Sequence, residues 1–288
     1  MPSAPRAGTR LLSSVRQPRD GPEFRATQRG FRPLALGQTA AMEADGGSRK
    51  VRLADGEETT VHVATFDLAD TRLRVVRLKP EEPLESWCER NGVRDAVSGG
   101  YSVKPEHEPL GELWVDGNAR SHRPFRSPWH DRRAALAAVD GRLEMDGRDR
   151  LPLRPDGGLL QAGPLLVREG RSAIEGVEDP EGFSATADEF DEDLTASREP
   201  RLAIGTRGGE LVAVAADGRA PGDAGLTLWE MADVLVSLGL ERALNLDGGS
   251  AGVIIAGGRR LNTPRTDEGE DMEASSPSTT AFVLECLS

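Results

Sequence analysis

The stretch "RALNLDGGSAGVI", residues 242–254, poses the question on which the fold turns. An apolar run ends in Asn245, Leu246 and Asp247, breaks at Gly248 and Gly249, and resumes as Val253, Ile254 and Ile255. Asp-Gly between apolar strands is a strong hairpin signal, and on that reading the segment is only a turn. The competing reading is that the glycines admit a ligand close to the backbone while Asp247 does chemistry. Asn245 and Asp247 are two residues apart, so on a strand their side chains share a face. A polar pair on one face of an apolar strand needs a reason. Hydrogen bonding within its own turn is the simplest one for Asp247.

Immediately upstream, "TLWEMADVLVSLGL" (227–240) is the clearest helix in the chain. Thr227 and Glu230 form a capping box, Leu228, Met231, Leu235 and Leu238 line one face, and Gly239 ends it. Before it, "RLAIGTRGGELVAVAADGR" (201–219) reads as a hairpin turning at Gly208–Gly209. Arg201 opens this buried-looking strand. It reads either as an ion-pair partner of the acidic loop before it or as a fork-shaped donor to phosphate. Residues 175–200 make up that loop, whose run Asp188–Asp193 reads as a solvated acidic segment or, less simply, a calcium site.

Further out, "TTVHVATFDLADTRLRVVRL" (59–78) alternates about a turn at Ala69–Asp70 and reads as a hairpin. "PLESWCERNGV" (83–93) reads as a short helix stopped at Asn91–Gly92, and "RDAVSGGYSV" (94–103) as a strand running into Gly99 and Gly100. "LLQAGPLLVREGR" (159–171) reads as one strand interrupted at Gly163–Pro164, and "TTAFVLECL" (279–287) as a last strand. The region 103–158 gives only weak strand signals such as "RLEMDG" (142–147). Many strands and few helices, without regular alternation, predict an α+β fold built on antiparallel or mixed sheet. The predicted organisation is an arginine-rich tail over 1–48 without periodicity and one domain over 58–288.

Composition excludes several classes. With 48 acidic against 36 basic residues the chain carries a net charge of −12, which argues against nucleic acid or an anionic membrane as principal partner. No apolar run reaches the ~20 residues of a membrane span. The amino terminus lacks the apolar core of roughly 7–15 residues that marks a secretory signal. The sequence as given is therefore expected in the cytoplasm, with Met42 an alternative start and an upstream export signal compatible with it. Cys88 and Cys286 read as two reduced thiols. His62, His107, His122 and His130 show no metal-ligand spacing, and no cofactor is expected, although a divalent cation is left open. His122 and His130 flank "RPFRSPW" (123–129), a surface loop or a binding loop. No serine-hydrolase elbow, P-loop or dinucleotide fingerprint occurs.

Four glycine-marked strand ends remain: "SGGY" (98–101), "AGPLL" (162–166), "IGTRGG" (204–209) and "LDGGS" (246–250). Paired glycines at strand ends are ordinary turns or cradles of backbone N–H for an oxyanion. "AVSGGYS", "QAGPLLVREGR", "RLAIGTRGG", "GLTLWEMADVLVSLGLERALNLDGGSAGVI" and "LNTP" follow in the order and spacing that resembles the phosphodiester glycosidase family, over about 60–287. The resemblance implies cleavage of a sugar-1-phosphodiester on a glycan or cell-envelope substrate, releasing the sugar and a phosphomonoester. On it, Asp247 is the carboxylate acting as base or nucleophile, and Glu230 assists or positions. Arg201, Asn245, Thr227, Tyr101, Ser250 and the backbone of Gly99, Gly100, Gly248 and Gly249 hold substrate and phosphate. The chain departs from the family pattern at Ser98, Ser102, Leu202, Ala251 and Ser276. The alternative is a relative that binds sugar phosphates or polysaccharide without cutting them. The sequence assigns neither the sugar nor an oligomeric state.

Overall fold

The computed structural model describes residues 47–103, 107–140, 142–174, 181–183 and 197–287. Nearly all of the predicted tail and the acidic run Asp188–Asp193 lie outside them.

The first elements among the described residues are β1 (Gly47–Arg52) and β2 (Glu58–Asp67), which pair antiparallel, so the sheet starts ahead of residue 58. A turn at Leu68–Asp70 leads to β3 (Thr71–Glu82), then α1 (Leu84–Asn91) and β4 (Ala96–Ser98). Four short strands follow: β5 (Ser102–Val103), β6 (Glu108–Pro109), β7 (Leu113–Val115) and β8 (Asn118–Ala119). Next come β9 (Ala134–Val139), β10 (Arg142–Gly147), β11 (Leu159–Gln161), β12 (Leu165–Arg168) and β13 (Arg171–Ser172). The last part holds β14 (Arg201–Arg207), β15 (Glu210–Ala216), α2 (Leu228–Ser237) and β16 (Arg242–Asn245), then β17 (Ile254–Ala256), β18 (Arg259–Arg260) and β19 (Ser278–Cys286). The architecture is mostly β, with two α-helices among the described residues.

The strands form a seven-stranded sheet (β1-β2-β15-β14-β16-β12-β13), two five-stranded sheets (β10-β9-β11-β7-β8 and β18-β17-β4-β19-β3), and the small pair β5-β6. All three large sheets contribute to one core, in which Leu202 and Ile204 of β14 share a cluster with Phe282, Ile254, Leu113 and Leu136. The other face of the seven-stranded sheet packs Val61, Val212 and Val214 against Leu228, Met231 and Leu235 of α2. Burying each large apolar side chain of that helix stabilises the fold by about 1.5–3 kcal/mol. A sheet covered on both faces has continuous apolar strands, which is why β14 and β15 read so clearly.

Several expected elements are present with different partners. The capping box of α2 forms as predicted, and β14 and β15 make the expected hairpin with Arg207 opposite Glu210. β2 and β3 are not a hairpin: β2 pairs with β1 and β15, whereas β3 pairs with β19 in another sheet. Likewise the two halves of "LLQAGPLLVREGR" are β11 and β12, in different sheets. Alternation reports how much of a strand is buried and says nothing of its partner.

Candidate functional site

The Asp-Gly-Gly segment is not a hairpin either. β16 before it belongs to the seven-stranded sheet and β17 after it pairs with β4 in another, so residues 246–253 are a crossing between sheets. Two other glycine-marked ends meet it there. The amide of Asp247 donates to the Gly99 carbonyl at 3.1 Å, and that of Gly163 to the Asn245 carbonyl at 3.0 Å. The fourth, at Gly208–Gly209, lies at the opposite end of β14 from Arg201, seven residues or about 20 Å along the strand. It is an ordinary hairpin turn.

The side chains centre on Tyr101, which is 5% exposed. Its hydroxyl donates to the Gly163 carbonyl at 2.7 Å and accepts from Asn245 Nδ2 at 2.8 Å. Burial, and after it the negative charge of Asp247, pushes the Tyr101 phenol well above its ordinary value, so it remains a protonated donor. Arg201, also buried, donates from Nε to the Leu226 carbonyl and from Nη2 to the Ser197 carbonyl, each at 2.8 Å. Burial lowers its guanidinium to about 10; the charge of Glu199 opposes the shift and that of Arg219 adds to it. Tyr101 thus bonds Asn245 directly and feels the charges of both Asp247 and Arg201.

The glycines serve mainly the chain itself. A Cβ on Gly248 would sit 2.5 Å from the Pro200 carbonyl oxygen and 3.3 Å from the Arg201 Cα, so the crossing packs directly on the start of β14. The Gly249 amide donates to the Pro200 carbonyl at 3.0 Å, while the Gly99 and Gly100 amides donate to the carbonyl and hydroxyl of Thr280 at 2.9 and 3.1 Å. Those three N–H groups, expected to cradle phosphate, are taken up by the fold, because close approach of three sheets leaves them facing protein acceptors. Ser250 bonds the Ser276 hydroxyl at 2.8 Å.

Glu230 and Thr227 stand apart from this group. The Thr227 amide donates to Glu230 Oε2 at 3.0 Å, Thr227 Oγ1 accepts from the Glu230 amide, and Arg198 Nε donates to both carboxylate oxygens at 3.1 and 3.0 Å. The capping reading accounts for both residues, and Glu230 acts on the site through the charge that Arg201 feels.

The sequence reading missed three groups. Arg133, fully buried, lies 4.3 Å from the Phe125 ring centroid and 4.2 Å from that of Phe183, and its charge reaches Tyr101. Glu181, beside it, accepts the amides of Leu165 and Ala134, both at 2.7 Å. Arg219 holds its guanidinium 3.8–3.9 Å from the Cβ position of Gly249, with Nε on Glu199 at 2.8 Å. An arginine directly before an apolar run, as at Arg133, was the one available signal. Among the described residues no group of three His, Cys, Asp or Glu side chains gathers to hold a metal ion, and no helix is long and apolar enough to cross a membrane.

Residues 91–283 match the family model described as phosphodiester glycosidase. The chain belongs to the phosphodiester glycosidase family. Mouse N-acetylglucosamine-1-phosphodiester α-N-acetylglucosaminidase is 30% identical over 181 residues, 60% of this chain and 34% of the mouse protein. The chain therefore spans about a third of the length of that relative. Among solved structures, the catalytic domain of the zebrafish enzyme of the same name, auto-inhibited by its pro-peptide, superposes with a TM-score of 0.61 at 17% identity, covering 86% of this chain and 84% of that one. A hypothetical protein from Synechocystis gives 0.62 at 19% identity, covering 84% and 62%. These two likenesses show the phosphodiester glycosidase fold.

Proposed function

We propose that this chain hydrolyses a sugar-1-phosphodiester, with Asp247 as the catalytic carboxylate. The observation that carries the reading is that Asp247 stands at a crossing between sheets, where its charge acts on a buried, protonated Tyr101 that also feels the buried Arg201. Cleavage of the C1–O bond passes through an oxocarbenium-like transition state, which a nearby carboxylate stabilises as nucleophile or by deprotonating the attacking water. The bond breaks, the electron pair leaves with the phosphate oxygen, and water supplies the hydroxyl at C1. A phosphomonoester is a weak base, so its departure needs little general acid. It does need cationic donors. Arg201, whose backbone packs on Gly248, and Arg219, whose guanidinium lies beside Gly249, supply positive charge to the leaving phosphate. Asn245 and Tyr101 fix the carboxylate's surroundings, and Glu230 positions α2 through Arg198. On this reading the substrate is a glycan or cell-envelope phosphodiester and the protein serves carbohydrate metabolism.

One observation favours the non-catalytic alternative. Ser98 donates to the Ala251 carbonyl at 2.8 Å and accepts the Val253 amide at 3.1 Å, so a position at which the chain departs from the family pattern holds the loop. Hydrolysis of uridine diphosphate N-acetylglucosamine and of aryl sugar-1-phosphodiesters, with Asp247→Asn as control, separates the two. Turnover lost in the variant supports the enzyme; saturable binding with no turnover by either protein supports the binder.

A further inference from the structure

The segment 120–133, "RSHRPFRSPWHDRR", carries five arginines and two histidines against one acid in a chain of net charge −12. Arg120, Arg123 and Arg132 are exposed, and among the described residues no carboxylate pairs with them. The carboxylate of Asp131 is on His130 at 3.1 Å. This basic segment is also held in place. The Arg123 amide donates to the Pro109 carbonyl and its carbonyl accepts the Gly111 amide, both at 2.8 Å, while Gln161 Nε2 donates to the carbonyls of His130 at 2.7 Å and Arg133 at 3.0 Å. Its inner side chain Phe125 shares an apolar cluster with Tyr101. At its far end Arg132, with Arg150 and Arg168, lines a cavity of about 510 Å³ whose wall includes Leu165 and Glu181, next to Gly163 and Pro164. Two of the three carboxylates there are occupied, Asp146 by Arg168 and Arg242 and Glu181 by backbone amides; Asp149 is the third.

A chain with this net charge repels a polyanion unless a local field overcomes it, and arginines on a fixed scaffold supply that field with little ordering cost on binding. The geometry points to this surface as the seat of a polyanionic continuation of the substrate: a glycan whose repeating units are joined by phosphodiesters, with the scissile unit at Tyr101 and Asp247 and later phosphates on Arg120, Arg123 and Arg132. The inference deepens the hydrolytic reading and rests on it for the chain's direction, while the binding itself does not require turnover.

Medium-chain inorganic polyphosphate, followed by anisotropy at 50 and 200 mM salt, is the probe. Wild type and Asp247→Asn are expected to bind alike, with affinity falling as salt rises. Arg120→Gln/Arg123→Gln/Arg132→Gln should bind at least tenfold more weakly and lose about 2 from the salt slope, at about 0.7 per phosphate contact. The same triple variant should hydrolyse a small aryl sugar-1-phosphodiester with unchanged kcat and KM, which separates this surface from the site. Equal binding by wild type and the triple variant would overturn the inference, as would binding of duplex DNA tighter than that of polyphosphate. Loss of hydrolysis with binding retained would count against the hydrolytic reading alone.

Discussion

The amide of Asp247 donates to the carbonyl of Gly99 at 3.1 Å, joining the end of β16 in the seven-stranded sheet to the end of β4 in a five-stranded one. Two residues far apart in sequence thereby fix the place where a carboxylate, a phenol and an arginine come together.

The crossing depends on Gly248 more than on Gly249. Gly248→Ala places a Cβ 2.5 Å from the Pro200 carbonyl oxygen, and backbone atoms cannot give way. The expected loss is about 1–3 kcal/mol of stability, with activity lost as well. Gly249 has φ +56 and nothing nearer its Cβ position than Arg219 at 3.8 Å, so Gly249→Ala should cost only the left-handed strain of about 1 kcal/mol. Denaturant midpoints of the two variants test the order.

Tyr101→Phe removes the donor to the Gly163 carbonyl and the acceptor for Asn245 Nδ2. The expected stability loss is about 1–2 kcal/mol, because two buried polar groups lose a partner. If Tyr101 fixes the geometry around Asp247, kcat falls about 10²-fold with little change in KM. Steady-state kinetics beside a thermal melt separates that positioning role from a purely structural one.

The helices, the β14–β15 hairpin and the capping box were legible because each is a local pattern: periodicity, a glycine turn, a Thr–Glu pair. Strand partners were not. "DLAD" and "LDGG" look like turns within a sheet and "AGP" like a break within one strand, yet each carries the chain from one sheet to another, and no local signal separates the cases. β9, "AALAAV", has the small residues of a helix and is a strand buried on both faces, against the shared core on one and against Leu151, Leu159 and Trp114 on the other. Asp247, Asn245 and Tyr101 were legible as a group through the family resemblance. Arg133 and Arg219 were not, because their place depends on contacts that only the folded chain makes.

Asp146 links two sheets: Arg168 donates to its carboxylate at 2.8 and 3.0 Å, and Arg242 at 3.2 Å. Burial pushes this carboxyl up, but the hydrogen bonds from Arg168, the Gly147 amide and Arg242 outweigh it and hold the group below its ordinary value. A carboxyl lowered in the folded state stabilises the fold above its unfolded value of about 3.9 and loses that contribution as pH falls through the lowered one. Asp146→Asn should therefore lower stability at pH 7 by an amount on the order of 1 kcal/mol given its partial exposure, read as a lower Tm, and the difference should shrink below about pH 4. Paired melts across pH 2–7 check the sign.

Burial pushes the Cys88 thiol up to about 12, with the charges of Glu85 and Asp95 adding to the shift, whereas Cys286 is exposed. At about pH 8 the native protein should release one equivalent of a chromogenic disulfide reagent rapidly and the second only on denaturation. Two rapid equivalents would place Cys88 in solvent.

In the proposed reaction water attacks the sugar carbon and leaves the phosphate ester intact. Turnover of uridine diphosphate N-acetylglucosamine in ¹⁸O-water, with rapid quenching and mass spectrometry of both products, tests it most directly. The expected outcome is ¹⁸O on the released sugar, an unlabelled phosphate product, and no turnover by Asp247→Asn. Label in the phosphate product would make the reaction a phosphoryl transfer and rule out attack at the sugar carbon.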